Sequence, residues 1–113
     1  MEIVKNLLEI NKLKEMAAHT FGNLVKAVVD VDKGLLAVDA ELHSDLEALL
    51  LENGSKQKNL WGINLYPDAS VEEFIEFDSV INMRPSQNNR SRGVEDEQIR
   101  SKLTELVNKR IKR

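Results

Sequence analysis

The sequence predicts a single α+β domain over residues 1–113: a two-layer sandwich of a mostly antiparallel four-stranded sheet and three helices, in the order α-β-β-α-β-β-α. Two features carry this prediction. Apolar residues recur at three- and four-residue steps in some stretches and alternate with polar ones in others, the periods of helices and strands packed on one side. The alternating stretches also come in consecutive, hairpin-like pairs separated by helices, which favours antiparallel pairing over a parallel sheet.

The first helix is read in "NKLKEMAAHTFGN". Asn11 is its candidate cap, Leu13, Met16, Ala17 and Phe21 form its stripe, and Gly22 or Asn23 ends it. Ile3 and Val4 before it suit a short strand or an arm. The stretch "LVKAVVDVDKGLLAVDAEL" predicts a hairpin, with Val25, Ala27, Val29 and Val31 facing Leu36, Val38, Ala40 and Leu42. A two-residue turn at Lys33-Gly34 would pair Val31 with Leu36 and Val29 with Val38, and keeps charge out of the core. In "SDLEALLLENGS", Ser44 and Glu47 match a capping box, Leu46, Leu49 and Leu50 make the stripe, and Asn53-Gly54 stops the helix.

"LWGINLYP" reads as a strand with Trp61, Ile63 and Leu65 on one face, ended by Pro67. Ser70 to Glu73 suit one helical turn. "FIEFDSVINMR" reads as the last strand, with Ile75, Phe77, Ile81 and Met83 inward and Glu76, Asp78, Asn82 and Arg84 outward. The final helix starts near Asp96, with Ile99, Leu103, Leu106, Val107 and Ile111 as its stripe. Acids at its start and "KRIKR" at its end suit the helix dipole. With all helices on one face of the sheet, the other face is left polar, carrying Lys26, Asp30, Asp39, Glu41, Asn64, Glu76, Asp78, Asn82 and Arg84.

Composition narrows the function classes. The chain has no cysteine, so it has neither disulfides nor a thiolate metal site, and this fits a reducing compartment. A net charge of −3 does not by itself imply a polyanion-binding protein. Aromatic residues make up 4%, too few for base-stacking recognition of single strands. No apolar run reaches the roughly 20 residues needed to cross a bilayer, and the charged start "MEIVKNLLEINKLKE" is unlike a signal peptide. The protein is expected to be cytosolic and not membrane-bound. No glycine-rich phosphate loop, nucleophile elbow or zinc spacing is present.

The densest polar segment is "INMRPSQNNRSRG", residues 81–93. Arg84, Arg90 and Arg92 stand among Gln87, Asn89 and further Asn and Ser residues, just before a helix. Guanidinium forks suit phosphate and carboxylate oxygens, and a helix start adds free amides. Ordering a loop residue costs roughly 1–2 kcal/mol, and a charge-assisted hydrogen bond returns roughly 1.5–3 kcal/mol. One anion shared by these arginines would therefore order several residues. The competing reading pairs Arg90 and Arg92 with Glu95, Asp96 and Glu97, and Arg84 with Asp78 or Glu76, leaving a solvated loop.

Two weaker candidates are catalytic. Glu76 and Asp78, two apart on one strand face, suit a shared divalent ion or a divided acid–base role. Against that stands the ordinariness of such residues on a half-exposed sheet. His43, between Glu41 and Asp45, suits an oriented base or a metal ligand if the strand continues to position 45. The cap at Ser44 instead breaks the alternation and puts His43 at a helix start. His19 carries no role.

The stretches "ELHSDLEALLLENGSKQKNLWGINLYP" and "EFDSVINMRPSQNNRSRGVED" resemble a family of short, uncharacterised prokaryotic proteins, a domain of unknown function. The resemblance extends from about Val25 onward. It is most specific in "GSKQ…LWGIN" and in the arginine-rich stretch, and it implies no activity, cofactor or site residue. The leading expectation is thus a binding module for an anionic ligand: a nucleotide, another phosphorylated metabolite or a nucleic-acid backbone. Arg84, Arg90 and Arg92 would hold the charge, and Asn64, Asn82, Gln87 and Asn89 would orient the ligand. The alternatives are a small metal-assisted hydrolase using Glu76, Asp78 and His43, and a structural homodimer. No cofactor and no metal site are expected.

Overall fold

The valine-rich stretch from Val25 to Asp30 becomes the middle strand of a sheet in the computed structural model, which describes residues 1–113. The elements are β1 (Glu2–Val4), β2 (Leu8–Glu9), α1 (Ile10–His19), β3 (Val25–Asp30), β4 (Leu35–Val38), α2 (His43–Glu52), β5 (Leu60–Leu65), β6 (Ile75–Glu76), α3 (Glu97–Arg110) and β7 (Ile111–Lys112). Short 3-10 turns cover Gln57–Asn59, Val71–Glu73, Val80–Asn82 and Pro85–Gln87. The fold is α+β with three helices, and the main sheet is antiparallel throughout. It has five strands, not four, in the order β1-β4-β3-β5-β6. The residues around Ile3 and Val4 add the extra strand by pairing with β4. A separate parallel pair, β2 with β7, ties the two ends of the chain together.

The helices do not share one face. On one side, Val25, Ala27, Val29, Leu36, Val38, Trp61, Ile63 and Leu65 pack with Leu13, Met16 and Ala17 of α1 and Leu103 and Val107 of α3. On the other, Val28, Ala37 and Leu60 pack with Leu46 and Leu50 of α2. Burying each leucine there contributes roughly 1.5–3 kcal/mol, enough to hold α2 against a face expected to be open. The reason lies in β3 and its neighbours. Val28, Ala37 and Leu60 put apolar surface on that side, and α2 supplies the matching stripe. Asp30, expected on an open polar face, is fully buried, and Asp39 and Glu41 lie beyond the paired part of β4.

Three local expectations are corrected. The β3–β4 register pairs Val29 with Leu36 and Ala27 with Val38, which leaves a four-residue loop at 31–34 in place of the two-residue turn. Asp30 explains the longer loop, because its Oδ1 accepts from the amides of Asp32 and Lys33, both at 2.9 Å. Its Oδ2 takes Ser55 Oγ at 2.6 Å, and Gly34 closes the loop at φ 68°. The even slip keeps every side chain on its intended face. The capping box is absent: α2 starts at His43 after Leu42, with no side-chain cap. Likewise Asn11 lies inside α1, whose cap position is Glu9. Only Ile75–Glu76 of the last predicted strand is a strand, and Ile81 packs against the α2 side while Met83 is exposed.

Other elements follow the pattern read from the chain. Asp96 caps α3 by accepting from Gln98 and Ile99. Asn53 and Gly54 end α2, with Gly54 at φ 93°.

Candidate functional site

Beyond β6 the chain leaves the sheet, and side chains take the place of the missing strand. Asn82, fully buried, accepts from Gly62 N–H at 2.8 Å and donates to Gly62 C=O at 2.9 Å and Arg92 C=O at 3.0 Å. Arg84 donates to Leu60 C=O at 2.8 Å and to Gln57 C=O, and stacks 4.2 Å from the centre of the Trp61 ring. Burial pushes its guanidinium pKa down, opposed by the charge of Glu47. Gln87 donates to Lys58 C=O at 3.1 Å. Asn89, also buried, donates to the carbonyls of Asn82, Ser91 and Gly93 and accepts from Glu95 N–H at 2.9 Å. Four of the residues expected to touch a ligand, Arg84, Asn82, Gln87 and Asn89, are therefore engaged in holding the loop.

The three arginines diverge in role. Arg90 is exposed and its side chain has no ion pair. The amides of Arg90 and Ser91 donate to Glu95 Oε2, and these two bonds hold the Glu95 carboxyl below its ordinary range. Arg92 reaches back to Asp78, with Nε 2.6 Å from Oδ1, and remains about half exposed.

Arg92 also lines a cleft of about 320 Å³ with Lys26, Leu42, His43, Ser44, Val80 and Ile81. Sheet register explains its place. Lys26, Asn64 and Glu76 form a cross-strand row over β3, β5 and β6, beyond the apolar patch that α2 covers. The start of α2 borders this row, and its first amides have no side-chain cap. Lys26 lies 5.2 Å over the Phe21 ring. His43 is 8% exposed, and its Nε2 lies 2.8 Å from Ile63 C=O. A carbonyl only accepts, so Nε2 carries the proton and Nδ1 is a free acceptor. Burial lowers the His43 pKa, with Lys26 and Arg92 acting in the same direction against Ile63 C=O and Asp78.

The acids beside the cleft are separately engaged. Glu76 Oε1 accepts from Asn64 Nδ2 at 2.8 Å and from Tyr66 O–H at 3.0 Å. Burial first, and then Glu76, raise the Tyr66 pKa. Asn64 also donates to Asp78 C=O at 3.3 Å, while its Oδ1 is buried without a partner. Asp78 takes Arg92. No group of three His, Cys, Asp or Glu side chains is placed to hold a metal ion.

The structure thus brings together Arg92, His43, Asn64, Glu76 and Asp78, and sets Arg84, Arg90 and Gln87 apart from the cleft. Sequence reasoning put Lys26 on the polar sheet face without giving it a ligand role, and read Ser44 only as a helix cap. Lys26 was nonetheless visible as the one cation within the strand "VKAVVD", and Ser44 as the polar residue beside His43.

Together these parts define a small α+β protein with a polar cleft where a helix meets its sheet. The chain belongs to the family described as "Protein of unknown function (DUF5674)", whose model matches residues 2–110, in line with the resemblance read from its sequence. No curated protein and no solved structure matches the chain. No helix is long and apolar enough to cross a membrane.

Proposed function

We propose that this protein binds an anionic small molecule in the cleft between the start of α2 and the 80–82 turn. One observation carries the reading: Lys26 and Arg92 line the same cleft as the uncapped start of α2. Cations and free helix amides both favour an oxyanion, and the helix dipole acts in the same direction. Leu42, Val80 and Ile81 give the cleft an apolar lip for the uncharged part of a ligand. A phosphorylated metabolite fits this mixture better than a nucleic-acid backbone, which would call for an extended basic surface rather than one cleft. Arg92 gives its Nε to Asp78, which fixes the guanidinium and leaves its terminal N–H groups for an anion.

Titration calorimetry with inorganic phosphate tests the reading. Lys26→Ala combined with Arg92→Ala should weaken binding by tenfold or more, since each lost charge-assisted bond is worth roughly 1.5–3 kcal/mol. Arg90→Ala should leave binding as it was. No phosphate binding by the unaltered protein, or equal loss with Arg90→Ala, would reject the site.

A further inference from the structure

The two cations explain attraction to an anion but not selection among anions. His43 supplies the second element. The residue is more than nine-tenths buried, and Nε2 is committed to Ile63 C=O. Nδ1 has no partner in the protein, yet it is not among the polar atoms sealed from solvent. The same ring lines the cleft. An aromatic nitrogen acceptor therefore stands in a site whose charged groups, Lys26 and Arg92, only donate, beside the hydroxyl of Ser44, which can do either.

Resting on the anion-binding reading, we infer that the cleft selects a phosphoryl group that still carries a proton, with His43 Nδ1 accepting from its P–OH. Hydrogen phosphate and the monoanion of a phosphate monoester have such a proton. Sulfate near neutral pH has none, and it would leave Nδ1 facing a bare oxygen. The hydroxyl of such a phosphoryl group fills the ring acceptor that the two cations cannot satisfy.

Calorimetry of the full chain with inorganic phosphate and with sulfate, at matched ionic strength near neutral pH, is the direct test. Phosphate should bind about tenfold more tightly or better, the scale of leaving one desolvated acceptor unpaired. His43→Phe should bring the two affinities close together. Should that variant not fold, nitrogen NMR of the His43 ring in the unaltered protein decides instead. Nε2 should be protonated and Nδ1 bare, and the Nδ1 resonance should move with phosphate but not with sulfate. Equal affinities for the two anions, or a ring protonated at Nδ1, would overturn the selection while leaving the anion site standing. Binding of neither anion would remove both.

Discussion

At the scale of single residues, the chain uses amides where its guanidiniums had drawn attention. Asn82 and Asn89 are buried hubs, and each satisfies several backbone groups at once. Arg84 is likewise structural, held by two carbonyls and the Trp61 face. His43 is the residue with a pH signature. Its pKa lies below the ordinary value in the fold, and unfolding returns it to about 6.5. The unfolded chain then binds more protons as pH falls through that value, so stability declines with acidification in that window. Above it, the histidine adds no slope. Urea melts at a series of pH values should show the decline beginning below about pH 6.5, and His43→Gln should flatten that part of the curve. Glu95 acts in a separate, more acidic window. Its carboxyl is held low, so its contribution is fully present above the ordinary glutamate range and is lost as pH falls from there through the lower value it has in the fold.

At the scale of elements, the periodic signals were legible, and the terminal ones held at Asp96 and at Asn53-Gly54 but not at Asn11 or Ser44. The stripes of α1, α2 and α3 bury Leu13, Met16, Leu46, Leu50, Leu103 and Val107, as the helical spacing required. The β3–β4 register was missed because it depends on Asp30 capping its own loop and reaching Ser55, a partner 25 residues away that no local pattern reveals. The segment after β6 was missed for a similar reason. Ile75, Phe77, Ile81 and Met83 alternate like a strand, but Asn82 and Gly62 pair across 20 residues, and Gly62 leaves room for the 79–82 turn. A Cβ at Gly62 would lie 2.6 Å from Ser79 Cβ and 3.1 Å from Ile81 Cγ1. Gly62→Ala should therefore cost about 1–3 kcal/mol or more in chemical denaturation. Ser79→Gly in the same chain should recover part of the loss, because the clash is between these two positions.

At the scale of the whole molecule, the sandwich has helices on both faces, and this decides where a ligand can reach the sheet. The polar face expected to lie open is divided. The apolar part, Val28, Ala37 and Leu60, is sealed by α2, while the row Lys26, Asn64 and Glu76 stays beside a cleft. That division was hidden in the sequence because α2 is amphipathic enough to suit either face. The choice was made by Val28 within β3, an apolar residue on the otherwise polar side. The side-chain substitute for a strand has one more consequence. Past β6, the outer rim of β5 is occupied by Asn82 on Gly62 and Arg84 on Leu60. Removing the amide with Asn82→Ala would leave Gly62 without its partners and cost about 3 kcal/mol. It would also leave the Gly62 stretch of the β5 rim unpaired and open to any other molecule of the same chain. The variant should accordingly form thioflavin-positive aggregates on mild heating, in a concentration-dependent manner, where the parent protein stays dispersed. An asparagine that looked like a ligand contact would then prove to be a guard against polymerisation.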